Sequence, residues 1–587
     1  MARRRRRGPR GLGALAVALS TATAAAGQIA FAQITPAQAG GATLGQPGLF
    51  RGVAAYDYDG DGRDDLLVTG YAGATRLWRN LGGWRFDDRT ADLGLDPAAS
   101  YALATWGDLD GDGDADLVLA GAHGTATRLL RNDGAGRFTD AGEAAELGPA
   151  APNTAAANIA DFDGDGRLDL YLANAGAPDQ LLRNLGDWRF ADETSARAPG
   201  DRGVSMGSIA ADLDDDGDLD LYLTYDNRRP NRLLRNDGTG HLRDVTATTP
   251  LGYAGFGMGV DAGDLDGDGR LDLYVANLYD NLLYASGASP YADFAEVAAA
   301  AGVADRGMGW GTVIFDADHD GHADVYVANE SPFAVDGTNP PSRLFRNLGD
   351  GAFAPADDAA TQSPWADFGV ATADLDGDGD LDLVLATAGG PGVQLLRNDS
   401  PPPGSHFLGV RCAVPGARLV GYAAGRRWLD ELHAGSGYAS QSSGLLHVGL
   451  GAIERLDSLA VEIPGRPRLV FGDVPTGSTY RIDDRDRLVP AGVQGGEGDV
   501  ARVTPDLSGE VIIGPNPASA SITIRLPPGG FSWRLVGPTG SDVASGTQRT
   551  VAAPLAIPLA KHPAGAYTLV GYRLGDGAGF TKRLLLR

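Results

Sequence analysis

An aspartate ladder, D-x-D-x-D-G-x-x-D, occurs seven times in this chain, and an apolar stretch follows each copy directly. The copies begin at Asp57, Asp108, Asp161, Asp212, Asp264, Asp316 and Asp374, so successive starts lie 51, 53, 51, 52, 52 and 58 residues apart. Near-equal steps of this size require a repeat architecture, in which each unit is one supersecondary element that buries its apolar face against its neighbours.

The ladder is a set of hard oxygen donors. Positions 1, 3, 5 and 9 are Asp57, Asp59, Asp61 and Asp65 in the first copy, Asp108, Asp110, Asp112 and Asp116 in the second, and Asp161, Asp163, Asp165 and Asp169 in the third. They are Asp212, Asp214, Asp216 and Asp220 in the fourth, Asp264, Asp266, Asp268 and Asp272 in the fifth, Asp316, Asp318, Asp320 and Asp324 in the sixth, and Asp374, Asp376, Asp378 and Asp382 in the seventh. Position 6 is always Gly, where the chain must turn sharply. Position 7, occupied by Arg63, Asp114, Arg167, Asp218, Arg270, His322 and Asp380, would contribute a backbone carbonyl. Calcium takes six to eight such oxygens, whereas magnesium demands a stricter octahedron with fewer protein ligands, so up to seven Ca2+ ions are expected. No copy is an EF-hand, because position 12 is Val or Leu rather than Glu. Those apolar residues belong to strands instead, with Leu273 and Val275 on one face and Tyr274 on the other, as in a strand buried on both sides.

The ladders also account for most of the charge. The chain of 587 residues carries a formal −27, and seven loops with four acidic ligands each supply 28 Asp. Loss of the six arginines among residues 3–10 would take the charge to about −33, and seven divalent ions would return it to about −19. That surface argues against nucleic acid and anionic membrane as partners. Arg3 to Arg10, followed by an apolar run from Leu12 to Leu19 and small residues, read as an export signal over 1–26. No other stretch is apolar enough to span a membrane, so no transmembrane anchor is expected. Cys412 is the one cysteine, which excludes an intrachain disulfide and leaves metal to do the cross-linking.

A second element recurs after each ladder: Arg76 to Phe86 and Arg128 to Phe138 hold Asn-Leu-Gly and Asn-Asp-Gly turns, repeated through Asn184, Asn236, Asn347 and Asn398. Each unit therefore contains four short strands, the content of one propeller blade. Outer strands begin at Phe86, Phe138, Phe190, Leu242, Phe294 and Phe353, but Ser400 to Pro403 follow the seventh turn instead. The segment Phe31-Ala-Gln-Ile-Thr35 resembles Phe294-Ala-Glu-Val-Ala298 and is expected to supply the missing strand. Signal cleavage after Ala26 would preserve it, whereas cleavage after Ala32 would cut through it.

Three features suggest other chemistry. Gly203-Val-Ser-Met-Gly207 matches a nucleophile elbow, but Gly207 aligns with Gly259, Gly311 and Gly369 in the repeats, which places it in a blade strand with no helix to follow. His433 and His447 flank Gly435 to Gln441 and could meet in space, a pair read as structural. Trp106, Trp310 and Trp365 precede ladders and could ring a glycan-binding mouth, although core filling is the commoner role. No metalloprotease, Walker or dinucleotide motif is present.

The ladders, turns and blade count resemble the FG-GAP/VCBS family of calcium-binding propeller repeats over residues 27–399. Within it, Gly255 to Asp264 followed by Leu273 to Asn277 is similar to the cartilage acidic protein branch. Residues 404–486, with Gly435 to Gln441 and Leu446 to Gly451, resemble the ASPIC/UnbV domain, for which the family implies no catalytic residue. Residues 488–505 read as a linker. Residues 506–587, with Gly514-Pro-Asn-Pro-Ala518 and Phe580 to Leu584, resemble a type IX secretion sorting domain. That resemblance implies a β-sandwich, contact with outer-membrane secretion machinery, and a secreted or cell-surface product.

The resulting expectation is an all-β chain: a seven-bladed β-propeller, a small β domain and a C-terminal β-sandwich. It would be a monomer that binds calcium and an extracellular protein or glycan without catalysis. The alternative is a polysaccharide lyase or hydrolase working in the propeller's central channel.

Overall fold

The computed structural model describes residues 29–491, except 42–43, 45–51, 71–74, 146–152, 201–202, 290, 292, 331–339, 350 and 484, and beyond them the strands between 503 and 586. The signal segment 1–26 lies outside the described residues.

Seven four-stranded antiparallel sheets follow one another along the chain, each built as the repeats require. In the second blade the strands are Tyr101–Gly107, Asp116–Gly121, Arg128–Asn132 and Phe138–Asp140, hydrogen-bonded in that order. The ladder joins the first and second strands, so all seven ladders emerge at one end of the ring and the turns between second and third strands at the other. Consecutive innermost strands lie against each other all the way round, including Ala366–Ala373 of blade seven against Val53–Tyr56 of blade one. They approach closely near the axis. A Cβ on Gly207 would stand 2.3 Å from the Met258 carbonyl, one on Gly259 2.4 Å from that of Trp310, and one on Gly311 2.5 Å from that of Phe368. The second glycine of the apparent elbow is thus a packing glycine of the inner ring. Ser205 opens the strand Ser205–Ala211, with no helix after it.

The second strand of each blade is buried on both faces. Three of its tyrosines bring a hydroxyl inside that finds a carbonyl: Tyr222 donates to Leu251 O, Tyr274 to Val303 O and Tyr326 to Thr361 O.

Phe31–Ile34 closes the ring. It pairs antiparallel with Val393–Asn398, and Phe31 faces Asn398 as Phe86 faces Asn80 and Phe190 faces Asn184. Phe31 and Ile34 are buried, and the main chain of Ala30 is held by the Ser400 hydroxyl.

A latch tied to the ladders joins neighbouring blades. The amide of the turn Asn donates to the position-9 carboxylate of its own blade, as Asn184 N does to Asp169 Oδ1 at 2.7 Å. The side chain donates to the position-2 carbonyl of the preceding blade, as Asn184 Nδ2 does to Leu109 O at 2.8 Å. Asn80, Asn132, Asn236, Asn347 and Asn398 repeat this, Asn80 reaching across the seam to Leu375 O. Blade five has Ser286 in place of the Asn, and there the Tyr291 hydroxyl donates to Asp220 of blade four at 2.5 Å. Asn184→Ala leaves two buried carbonyls without donors and should cost about 1–3 kcal/mol in urea unfolding. An unchanged unfolding midpoint would show that the latch contributes nothing.

The second domain packs two sheets around Leu408, Val410, Leu419, Leu446, Leu459 and Phe471. One sheet runs Leu445–Gly451, His406–Arg411, Ser478–Ile482, Leu488–Pro490; the other holds Arg426–Glu431, Arg418–Ala423, Arg455–Glu462, Leu469–Pro475 and Val503–Thr504. The stretch read as a linker therefore begins and ends in strands of this domain. Farther on, Ile512–Ile513, Ser521–Arg525 and Leu555–Pro558 form one sheet, and Asp542–Gln548, Gly530–Val536, Gly565–Leu574 and Gly579–Leu586 another.

Candidate metal loops and the channel plug

All seven ladders adopt one conformation. The position-6 amide donates to the position-1 carboxylate in every loop, as Gly166 N does to Asp161 Oδ2 at 2.9 Å, and the position-7 amide donates to position 5, as Arg167 N does to Asp165 Oδ1 at 3.0 Å. Only glycine takes the position-6 turn freely, with φ between 84° and 97° in all seven loops. The acids thereby converge. Carboxylate oxygens of Asp57, Asp59 and Asp61 lie within 4.8 Å of one another, as do those of Asp108, Asp110 and Asp116 and of Asp264, Asp266 and Asp272.

A cation fits these loops. Asp59, Asp163, Asp214, Asp318 and Asp376, all at position 3, each bury an Oδ1 that receives no hydrogen bond. Orphaned acceptors of this kind are costly unless a cation meets them. Burial pushes the position-9 carboxyls up, Asp65 to about 9, Asp272 to about 8 and Asp116 and Asp169 to about 7, and neighbouring ladder acids push the same way. Among the position-7 residues, the Arg63 and Arg167 side chains fold back onto their own position-5 carboxylates, so at these positions the side chain is not offered to the loop's centre.

The sequence reading missed a cationic residue in the loops. The arginine just before the turn Asn bridges positions 3 and 5: Arg131 holds Asp110 at 2.8 Å and Asp112 at 3.1 Å, and Arg79, Arg183, Arg235 and Arg346 do the same. It takes Oδ2 of position 3 and leaves Oδ1 for a cation. The signal was the Arg-Asn pair that recurs with the ladder. Arg76, Arg128, Arg232 and Arg343, three residues earlier, pair with Asp88, Asp140, Asp244 and Asp357 on the outer strands instead.

The ladder face of the ring is the seat of the second domain. Arg411 pairs with buried Asp64 at 2.8 Å, and Arg418 reaches Asp212 at 3.0 Å and Asp215 at 3.1 Å. Gly465 packs on Gly166, Arg427 donates to Gly269 O, Arg426 stands by Gly321 O, and His447 Nε2 lies 3.0 Å from Gly379 O. Six of the seven loops are engaged.

From this seat the segment 434–443 enters the channel and meets all seven inner strands. Gln441 exchanges main-chain hydrogen bonds with Val53 and Ala55, and its side chain bonds Thr105 and the main chain of Trp106. Asn158 Nδ2 donates to Ala434 O and Gly435 O, and Gly437 exchanges both hydrogen bonds with Val260 while lying against Gly207 and Thr312. Ser443 N donates to Thr372 O. At the centre Tyr438 packs edge-on against Trp310, with ring centroids 4.8 Å apart, and Phe368 packs edge-on against the same indole at 5.0 Å. Among the described residues the axis is a packed apolar core crossed by 434–443.

The tryptophans divide accordingly. Trp106 is buried among Tyr56, Tyr58 and Phe138, Trp310 is buried on the plug, and Trp365 is exposed. His433 and His447 keep separate partners. His433 sits between Glu431 at 3.3 Å and Asp261 at 3.7 Å; burial alone would lower its pKa, but these carboxylates raise it to about 10. His447 packs with His319 and Phe407, and burial lowers it to about 4. A polar chamber of about 280 Å3 remains between blades five and six and this domain. Cys412 is half-buried against the second core, and burial pushes its thiol pKa up.

Comparison with known proteins agrees with this division of the chain. The FG-GAP-like repeat profile matches residues 57–119, 108–172, 161–223, 212–275 and 316–385, each match running from one ladder into the next, and the ASPIC and UnbV profile matches 411–488. Cartilage acidic protein 1 of Mus musculus is 27% identical over 251 residues, which is 39% of this chain and 38% of the relative. Its Homo sapiens counterpart is 27% identical over 256 residues, 39% and 37% of the two chains. The match thus spans little more than a third of these relatives. Among solved structures the Dos1 propeller aligns with TM-score 0.31 and 10% identity, over 58% of this chain and 76% of that one. The chain belongs to the FG-GAP-like repeat proteins and carries an ASPIC and UnbV domain seated on its repeats.

Proposed function

We propose that this chain is an exported calcium-binding propeller that holds an extracellular protein or glycan without transforming it, in adhesion or ligand capture. The observation that carries the reading is the filled axis: the place where a propeller would work on a polymer is occupied by 434–443. Calcium is proposed for the ladders because every loop offers hard oxygens at the spacing calcium takes, and in five of them the position-3 Oδ1 is buried without a donor. No helix among the described residues is long and apolar enough to cross a membrane. Export rests on the basic and apolar N-terminal segment, and release or surface attachment on the resemblance of 506–587 to a type IX sorting domain, which would engage outer-membrane secretion machinery.

Equilibrium dialysis should find up to seven calcium ions per chain, and Asp266→Ala should lower the count by about one while the ring remains folded. An unchanged count would remove Asp266 from the ligand set. Incubation with a polysaccharide panel should release no reducing ends or unsaturated products, and turnover would defeat the non-catalytic reading. The mature chain should begin at Gly27; a start at Gln33 would mean that Phe31 does not close the ring.

A further inference from the structure

The second domain seats on the ladder end and fills the axis, and the opposite end of the ring carries the turns between second and third strands. Of the six exposed large apolar side chains among the described residues, Leu81, Leu185 and Leu348 sit on tight turns at the ladder-side rim, while Tyr253, Tyr279 and Trp365 stand at the opposite end. Tyr279, 41% exposed, stands beside Phe256, and Tyr253, 42% exposed, lies three residues before Phe256 in the chain.

This cluster is built rather than incidental. The Phe256 and Tyr279 rings lie 5.7 Å apart at 59°, and the Arg228 guanidinium stands 5.7 Å from the Phe256 centroid. The Tyr253 ring lies over Gly255, where a Cβ would come within 2.1 Å of its edge. Asn227 and Arg228 are both left-handed, with φ of 63° and 59°, and Arg228 N donates to Gly255 O at 2.7 Å. For an arginine that conformation costs about 1–2 kcal/mol, and such strain persists where the surroundings fix it. Its effect is to hold the guanidinium over an aromatic face. The ladder arginines are each paired with carboxylates, but among the described contacts Arg228 meets none.

We propose that Phe256, Tyr279 and Arg228 form a binding site for an acidic glycan. This rests on the ligand-binding reading above and names its site. The C–H face of a pyranose carries partial positive charge and stacks on the negative face of an aromatic ring, and the Tyr279 hydroxyl can bond the sugar's own hydroxyls. A guanidinium fixed by its cation–π contact recognises a carboxylate or sulfate through paired N–H donors, a short-range attraction that acts against the longer-range repulsion of the chain's net −27. The exposed apolar surface consists of ring faces rather than the aliphatic groove that a helical peptide requires.

The test is isothermal titration of the full, calcium-loaded chain with a uronate tetrasaccharide, a sulfated tetrasaccharide and a neutral one. The anionic probes should bind at least tenfold tighter than the neutral one. Tyr279→Ala should weaken all binding tenfold or more, and Arg228→Met should bring anionic and neutral probes within about threefold, with thermal unfolding unchanged. Absence of binding to all three probes would overturn the proposal, as would binding that neither variant alters; the second result would leave ligand binding intact but at another site. Capture of a protein partner that is lost in Tyr279→Ala, with no oligosaccharide bound, would also overturn it. Product release from any probe would instead count against the non-catalytic reading.

Discussion

Stripping divalent cations with a chelator should lower the unfolding midpoint by about 10 °C or more, and should loosen the second domain together with the propeller. The magnitude follows from linkage. A site held at a hundred times its dissociation constant contributes about 2.7 kcal/mol. In a domain of this size each kcal/mol moves the midpoint by about 2–4 °C, so losing two such sites suffices. The cause is in the loops themselves, where carboxylates converge and five of the position-3 oxygens have no donor. The link to the second domain is its seat, because Arg427, Arg426 and His447 address the backbone of the position-6 glycines that the ladders fold into place. Hydrogen exchange should therefore show the amides of Gly437 and Gln441 losing protection along with the ladder loops. An unchanged midpoint would contradict the metal reading. Full protection at Gly437 and Gln441 after the loops have opened would contradict the coupling.

Gly435→Val should expel the plug. Gly435 is left-handed at φ 88°, and a Cβ there would stand 1.9 Å from the Ala157 carbonyl, main chain that cannot retreat without disturbing blade three. Left-handed strain and overpacking each cost about 1–3 kcal/mol, so the substitution should destabilise by about 2–6 kcal/mol. The observable is faster hydrogen exchange across the seven inner strands, together with a change in the fluorescence of Trp310, which would lose Tyr438. Gly472→Val is the matched control, because a Cβ there meets nothing within 4 Å and the backbone is unstrained. Equal stability of the two variants would show that the axial segment is dispensable.

What the sequence made legible was whatever repeats. The ladders located seven loops, the turn asparagines located the strand pairs, and the mismatch of six outer strands for seven blades pointed to Phe31, which occupies the register of Phe86 and Phe190. The apparent elbow at Ser205 could be set aside by aligning Gly207 with Gly259 and Gly311, and the axis explains why all three are glycines. What does not repeat was illegible. Gly437 meets Val260 and Gln441 meets Val53 across long separations, and nothing local in Gly435 to Gln441 says that it fills a channel. The pairing of His433 with Asp261, and of His447 with His319, depends on the same docking. The ladder arginines were legible in principle, since each stands directly before a turn Asn.

The seam at Phe31 sets an order of assembly. Its partner Asn398 is made after the rest of the ring, so a nascent chain holds an incomplete seventh blade for nearly the whole of propeller synthesis. Contacts so distant in sequence form slowly, which keeps the two ends of the ring apart until late in folding. The second domain must wait longer still. It grips Asp64 in the first blade and Gly379 in the seventh, positions brought to their final spacing only when the two ends of the ring have met. Docking of that domain is therefore a built-in report that the circle has closed.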